Sequence, residues 1–265
     1  MADNGARATH GNAFPYADRV NGVTVSDTLR WLGAGWRDFR RSGAVSLAYG
    51  LIFVVAGLVL TVGLYLADLA HLIVPLTAGF LLVGPALTVG FYAISRDIEQ
   101  GRTAQLTTAI TAWRANPIHL LALGLALVLF LIVWVRLAVL IFALTFPYTT
   151  ASLEAMAEAA LFTVEGLTFL GIGTVVGGIM ATLAFVTSVF SLPIMLDRKV
   201  DIIQAVTTSV VAVAMNARVM AVWAALIVAF TVVGLATFYV GLAITLPLIG
   251  HASWHAYRAV IRQPA

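Results

Sequence analysis

Six long apolar stretches dominate this chain, and its positive charges lie in alternate connections between them. The stretches cover residues 43–67, 72–95, 118–143, 167–196, 219–239 and 242–257. A helix needs about 20 apolar residues to cross the hydrocarbon core of a bilayer, so all but the short sixth stretch are long enough. Helices satisfy their own backbone hydrogen bonds, which lipid cannot do. The sequence therefore predicts an all-α membrane protein with six transmembrane helices.

The charge distribution predicts the orientation. All lysine and arginine side chains except Arg136 lie before the first stretch or after the second, fourth or sixth. Cytoplasmic loops carry an excess of positive charge in membrane proteins. We therefore expect a multipass protein of the bacterial inner membrane with both termini in the cytoplasm.

Composition excludes a large soluble domain. The chain is 61% hydrophobic and only 10% charged, which could not supply a water-soluble surface of this size. Residues 1–25 are polar and glycine-rich, so we expect a flexible cytoplasmic tail, followed by a single membrane domain over residues 26–262. The chain has no cysteine, which excludes disulfides and thiolate metal sites.

A segment with apolar residues at helical spacing beside a polar face precedes each pair of stretches. The apolar positions are Leu29, Leu32, Trp36 and Phe39; Leu106, Ile110 and Trp113; and Ile203, Val206, Val210 and Val213. These segments are too polar to span, so we expect helices in the cytoplasmic interface with the apolar side in the acyl chains. The residues predicted to face lipid at this interface are Trp36, Arg37, Arg40, Arg41, Trp113, Arg114, Trp254 and Arg258.

The same unit of one interfacial helix and one transmembrane hairpin occurs three times, which predicts three parallel repeats. A short match supports the repetition, since residues 106–108 read LTT and residues 206–208 read VTT. Many secondary transporters instead use inverted repeats, which this pattern does not indicate.

Two runs near the C-terminus resemble a known family. The run that begins at Ser191 reads SLPIMLDRKVDIIQAVTTSV, and the run that begins at Leu246 reads LPLIGHASWHAYRAVI. Together they resemble an uncharacterised prokaryotic family of integral membrane proteins, a domain of unknown function. Some of its members are labelled cytochrome c oxidase subunits. The resemblance implies a membrane location and no defined activity.

Three histidines are candidate metal ligands. His251 and His255 are four residues apart, so both imidazoles project from one face of a helix, and His119 begins the third stretch on the same side. Three imidazoles would suit zinc or copper, and one could be a haem axial ligand. We favour the other interpretation, in which both histidines belong with Trp254, Tyr257 and Arg258 to an interfacial belt, and we therefore expect no cofactor.

Arg136 is the one cation predicted on the outer side, near the outer boundary of the hydrocarbon. We expect it to form a structural ion pair with Glu165; the alternative is a substrate-binding arginine. Glu154 and Glu158 lie in a predicted short outer helix over residues 152–161.

No reactive motif accompanies these features. The stretches carry no relay of carboxylates, and the chain has no phosphate-binding glycine loop, HExxH helix or nucleophile elbow. We therefore expect a protein that is not an enzyme, of accessory, assembly or lipid-organising type. Its expected partners are anionic lipid headgroups and a membrane protein complex, and not nucleic acid. Two alternatives stay open, a metal- or haem-binding accessory protein of a respiratory oxidase and a small-molecule transporter.

Overall fold

The computed structural model describes residues 16–146 and 161–263, and its elements within these ranges are helical apart from one isolated bridge between Val20 and Ile261. The α-helices are α1 (Val25–Ser42), α2 (Ala44–Leu66), α3 (Ile73–Leu87), α4 (Val89–Glu99), α5 (Leu106–Ile110), α6 (Pro117–Thr145), α7 (Val164–Ser188), α8 (Ser191–Asp197), α9 (Ile202–Met215), α10 (Ala217–Ala236) and α11 (Leu242–Val260). Short 3-10 helices cover Ala17–Arg19, Ala70–Leu72 and Ala112–Ala115. The prediction of an all-α protein is confirmed for these residues. The predicted outer helix over residues 152–161 lies almost wholly outside them.

Five helical segments of the described chain are long and apolar enough to cross a bilayer. They are Ala44–Leu66, Ala70–Glu99, Pro117–Thr145, Val164–Asp197 and Ala217–Ala236, each within a few residues of a predicted stretch. In the most apolar part of each segment only 6% to 28% of the residues are buried inside the protein, so lipid must cover the remaining apolar surface. The chain is therefore a multipass integral membrane protein.

Helix α11, the sixth predicted span, is different from the other five. It packs against α1, α2, α4, α8 and α10, and most of its side chains are buried. Because protein rather than lipid surrounds it, α11 can carry the polar residues Thr245, His251 and Ser253. The expectation of a sixth lipid-exposed span is therefore not confirmed.

Each short helix that precedes a hairpin packs against the hairpin before it. Helix α5 contacts α2 and α4, and α9 contacts α6, α7 and α8. Helix α1 contacts α10 and α11, which closes the series into a ring. The chain ends meet at this closure, where the backbone N–H of Asn21 donates to the carbonyl of Val260 at 2.8 Å.

Small side chains contribute to the buried faces of these short helices. Ala34 and Gly35 of α1, Ala109 of α5, and Ala205 and Ala212 of α9 are buried. Small residues let helices approach closely. Members of the predicted apolar stripes stay exposed as a result, with Leu29 at 68%, Trp36 at 44% and Ile203 at 76% of their surface.

The tightest packing lies toward one end of the bundle. We call this the arginine-rich end; it carries Arg41, Arg96, Arg114, Lys199 and Arg218. The large side chains that are fully buried here include Phe91, Phe190, Trp223, Trp254 and Tyr257. The site with the most buried polar groups lies in this half of the protein.

Candidate functional site

A chain of hydrogen-bonded polar side chains connects α1, α2, α4 and α11. We call it the Asp38 network; its members are Asp38 and Ser42 of α1, Ser46 of α2, Ser95 of α4, and His251 and His255 of α11. All of them are buried except His255, whose side chain is 29% exposed. Buried polar groups persist in proteins when each finds a partner, as these do.

Asp38 and His251 are the two centres of the network. Asp38 Oδ2 accepts from Ser95 Oγ and from His255 Nε2, each at 2.8 Å. The two ring nitrogens of His251 contact hydroxyls, Nδ1 that of Ser95 and Nε2 that of Ser46, both at 2.8 Å. Asp38 therefore joins α1 to α4 and α11, while His251 joins α11 to α4 and α2.

The number of hydroxyl protons fixes the direction of these bonds. Ser95 has one proton, which it donates to Asp38, so its oxygen accepts from Nδ1 of His251. Nε2 of His251 then accepts from Ser46, whose oxygen lies 2.6 Å from that of Ser42. The hydroxyl of Ser42 donates to the backbone carbonyl of Asp38 at 2.8 Å. This assignment makes His251 neutral, with its proton on Nδ1, and makes Asp38 the final acceptor.

The charge of Asp38 is stabilised by its donors. Burial by itself would raise the pKa of this carboxyl, but the hydrogen bonds from His255 and Ser95 outweigh burial. The pKa of Asp38 is held below its usual value as a result. Asp38 is therefore an ionised acceptor at neutral pH, and the network holds α1 against the bundle.

A second cluster continues along α11 toward its C-terminal end. Trp254 Nε1 donates to Glu99 at 3.0 Å, and Arg258 forms an ion pair with Glu99 at 2.9 Å. The hydroxyl of Tyr257 donates to Asp197 at 2.6 Å. The ends of α4 and α8 are therefore attached to α11 through polar side chains.

The expectation that Trp254 and Arg258 face lipid is corrected by this cluster. Trp254 is 0% exposed and lies in the core, and Arg258 is turned toward acidic side chains of the protein. The reason is that α11 is central, so its end has protein neighbours. Trp113 is partly buried beside Gly124. The remaining predicted interfacial residues are exposed, namely Trp36, Arg37, Arg40, Arg41 and Arg114.

The three candidate metal ligands are not brought together. His119 Nδ1 accepts from the backbone N–H of Ile202 at 3.4 Å, whereas His251 and His255 belong to the Asp38 network. The described residues contain no group of three or more histidine, aspartate or glutamate side chains that could hold a metal ion. Both nitrogens of His251 are already used by hydroxyls.

The predicted ion pair between Arg136 and Glu165 is absent from the ion pairs of the described chain. Trp134, two residues before Arg136, packs against Gly177 on antiparallel α7. Glu165 lies twelve residues from Gly177, about 18 Å along the helix at 1.5 Å per residue. The two charges are therefore at different depths, and Arg136 is exposed on the surface of α6. Glu154 and Glu158 lie outside the described residues.

Comparison with known proteins shows that the middle of the chain is similar to a membrane family. Residues 73–197 match the model of a family described as "Predicted integral membrane protein (DUF2189)". This confirms the resemblance to an uncharacterised membrane domain of unknown function. The match runs from α3 to α8, so it includes Ser95 and Glu99 but not α1 or α11. No curated protein and no solved structure matches the chain.

Proposed function

We propose that this protein has a non-enzymatic, lipid-organising role and that α1 binds anionic phospholipid headgroups at the cytoplasmic face of the inner membrane. The observation that carries the proposal is the outward surface of α1. Leu29 and Trp36 are exposed there on the same helix as exposed Arg37, Arg40 and Arg41. Exposed apolar and aromatic side chains beside arginines are typical of helices that lie in a membrane interface.

The Asp38 network supports this role because it fixes the helix. A flexible segment would lose conformational freedom on binding, whereas a helix that is already docked presents its side chains in place. The buried face of α1 carries Trp31, Gly35 and Asp38, so docking leaves the arginines of the outward face free. We infer that α1 is a preorganised lipid-binding surface.

The ring of short helices supports the finer architecture. We infer three parallel repeats, each with one interfacial helix and one hairpin, since α5 and α9 each pack against the hairpin before them and α1 packs against the last hairpin. In this arrangement both termini and all three interfacial helices lie on the cytoplasmic side. The same leaflet that Trp36 contacts would then also contact the exposed side chains of Ile110, Arg114 and Ile203.

Lipid binding in nanodiscs tests the proposal. The protein is reconstituted in mixed phosphatidylglycerol and phosphatidylcholine, and the enrichment of phosphatidylglycerol around it is measured by native mass spectrometry at low and high salt. A basic residue near an anionic surface contributes about 1 kcal/mol. We therefore expect the triple variant Arg37→Gln, Arg40→Gln, Arg41→Gln to lose at least ten-fold in preference for phosphatidylglycerol.

The matched control replaces the same three arginines with lysine, which keeps the charge and should keep most of the preference. Equal enrichment in the glutamine variant and in the wild-type protein would contradict the proposal. A loss in the lysine variant as large as in the glutamine variant would also contradict it, since charge would then not be the cause.

A further inference from the structure

An apolar cleft of about 520 Å³ lies between α7 and α10, and Val213 and Ala214 of α9 line its arginine-rich end. Its walls are mostly small side chains, including Gly178 and Ala181 of α7 and Ala217, Ala221 and Ala224 of α10. The hydroxyl of Thr182 in the wall is satisfied by the carbonyl of Gly178 at 2.7 Å. The cleft therefore offers a surface for hydrocarbon rather than for a polar molecule.

The equivalent contacts between the other hairpins are closed. Helix α3 packs directly on α6 and α2 directly on α11, whereas α7 and α10 have little direct contact. The close approach is visible at Gly50, where an added Cβ would lie 3.0 Å from the carbonyl oxygen of Ala243. An opening between two apolar helices that face lipid must be filled by something apolar.

The length of the cleft indicates its occupant. Ala217 and Val228 both line it, and eleven residues of helix correspond to about 16 Å. This is close to half of a hydrocarbon core of about 30 Å, the depth of one leaflet. A second cavity of about 420 Å³ lies next to the cleft, between α3, α6 and α7, and four residues line both: Leu81, Gly178, Ala181 and Val228.

A positive charge lies beside the arginine-rich end of the cleft. Arg218 is exposed at the arginine-rich end, one residue after Ala217 and three residues before Ala221. It forms no ion pair among the residues that the structure describes. A phosphate group above the cleft would meet this guanidinium, which suits phosphate well.

We propose that the cleft between α7 and α10 is a binding site for one acyl chain of an anionic phospholipid, with Arg218 beside its phosphate. The site lies on other helices than α1, so it does not depend on the lipid-binding role proposed for that helix. The acyl chain leaves other hydrocarbon to enter the cleft, so close packing against the walls and the contact of the phosphate with Arg218 would have to retain the lipid through purification.

The test is lipid retention after reconstitution with phosphatidylglycerol and extraction into detergent. Gly178→Leu fills the cleft, and a Cβ at this position meets no atom within 4 Å, so the helix can accept it. Gly171→Leu is the matched control, since Gly171 is equally unhindered on the same helix but lines neither cavity. Native mass spectrometry should show one retained phosphatidylglycerol in the wild-type protein and in Gly171→Leu, and at least ten-fold less in Gly178→Leu.

Arg218→Gln should reduce the preference for phosphatidylglycerol over phosphatidylcholine and leave retention of an acyl chain intact. Equal retention in Gly178→Leu and Gly171→Leu would overturn the proposal. A change from dimer to monomer in Gly178→Leu would also overturn it, because the occupant would then be a second copy of the chain. Loss of the retained lipid in the α1 glutamine variant, with full retention in Gly178→Leu, would place the lipid on α1 instead.

Discussion

Asp38 accepts hydrogen bonds from two helices other than its own, Ser95 on α4 and His255 on α11. Asp38 was not among the residues predicted from the sequence to form a site. A signal was present: Thr28, Trp31, Gly35, Asp38 and Ser42 recur at helical spacing and form the buried face. Most residues on the buried face are polar or small, so this face does not stand out as hydrophobic. The apolar stripe lies on the neighbouring face and is more obvious in the sequence.

Replacing Asp38 should destabilise the protein through its two donors. In Asp38→Ala, Ser95 and His255 lose their common acceptor, and leaving a buried donor without an acceptor costs about 1–3 kcal/mol. We expect a decrease of this size in the free energy of unfolding, measured by denaturant titration in detergent micelles. The control is Asp27→Ala at the exposed start of α1, where loss of a capping side chain costs about 1 kcal/mol.

The same residue predicts a pH dependence. The pKa of Asp38 in the folded protein is below that of an unfolded aspartate, about 3.9. Its contribution to stability is therefore complete above that value and is lost as the pH falls through the folded pKa. Asp38→Asn should lose less stability than the wild-type protein on acidification below about pH 4. Parallel curves for the two proteins would show that Asp38 is not ionised in the fold.

Among the helices, α1 shows which structural features a sequence pattern can predict and which it cannot. Its amphipathic character was predicted, and Trp36 and Arg37 are exposed as expected. Its docking against α11 was not predicted, because the partner Ala252 lies more than two hundred residues away along the chain. The close approach depends on Gly35, where an added Cβ would lie 2.6 Å from the backbone nitrogen of Ala252. A close contact between two helix backbones does not produce a periodic pattern of residues in the sequence.

Gly35→Leu should separate α1 from the bundle. The side chain would meet backbone atoms of α11, which cannot move aside without displacing a packed helix. We expect trypsin to cleave at Arg37, Arg40 and Arg41 at least ten times faster than in the wild-type protein. Gly33→Ala is the control on the same helix, since its Cβ would be 3.8 Å from the flexible end of Arg37. Unchanged cleavage in Gly35→Leu would mean that α1 does not depend on this contact.

At the scale of the whole molecule, the helices that could be predicted from the sequence are those that lipid surrounds. The bilayer imposes a length and a composition on every lipid-exposed helix, so five spans were located within a few residues. The bilayer does not constrain the length or the composition of a helix that is surrounded by protein. Helix α11 was therefore counted as a short sixth span, although Thr245, His251 and Ser253 within it are better suited to a protein interior than to lipid.

The orientation can be tested with single cysteines, because the chain contains none of its own. Arg114→Cys is exposed at the arginine-rich end, and Ala67→Cys is exposed at the opposite end, after α2. If the arginine-rich end is cytoplasmic, a membrane-impermeant maleimide should label Ala67→Cys in intact spheroplasts and should label Arg114→Cys only after permeabilisation. The wild-type protein should remain unlabelled in both conditions. The reverse result would put α1 at the outer leaflet, away from the most negatively charged lipid surface, and would remove the physical basis for a role of Arg37, Arg40 and Arg41 in binding it.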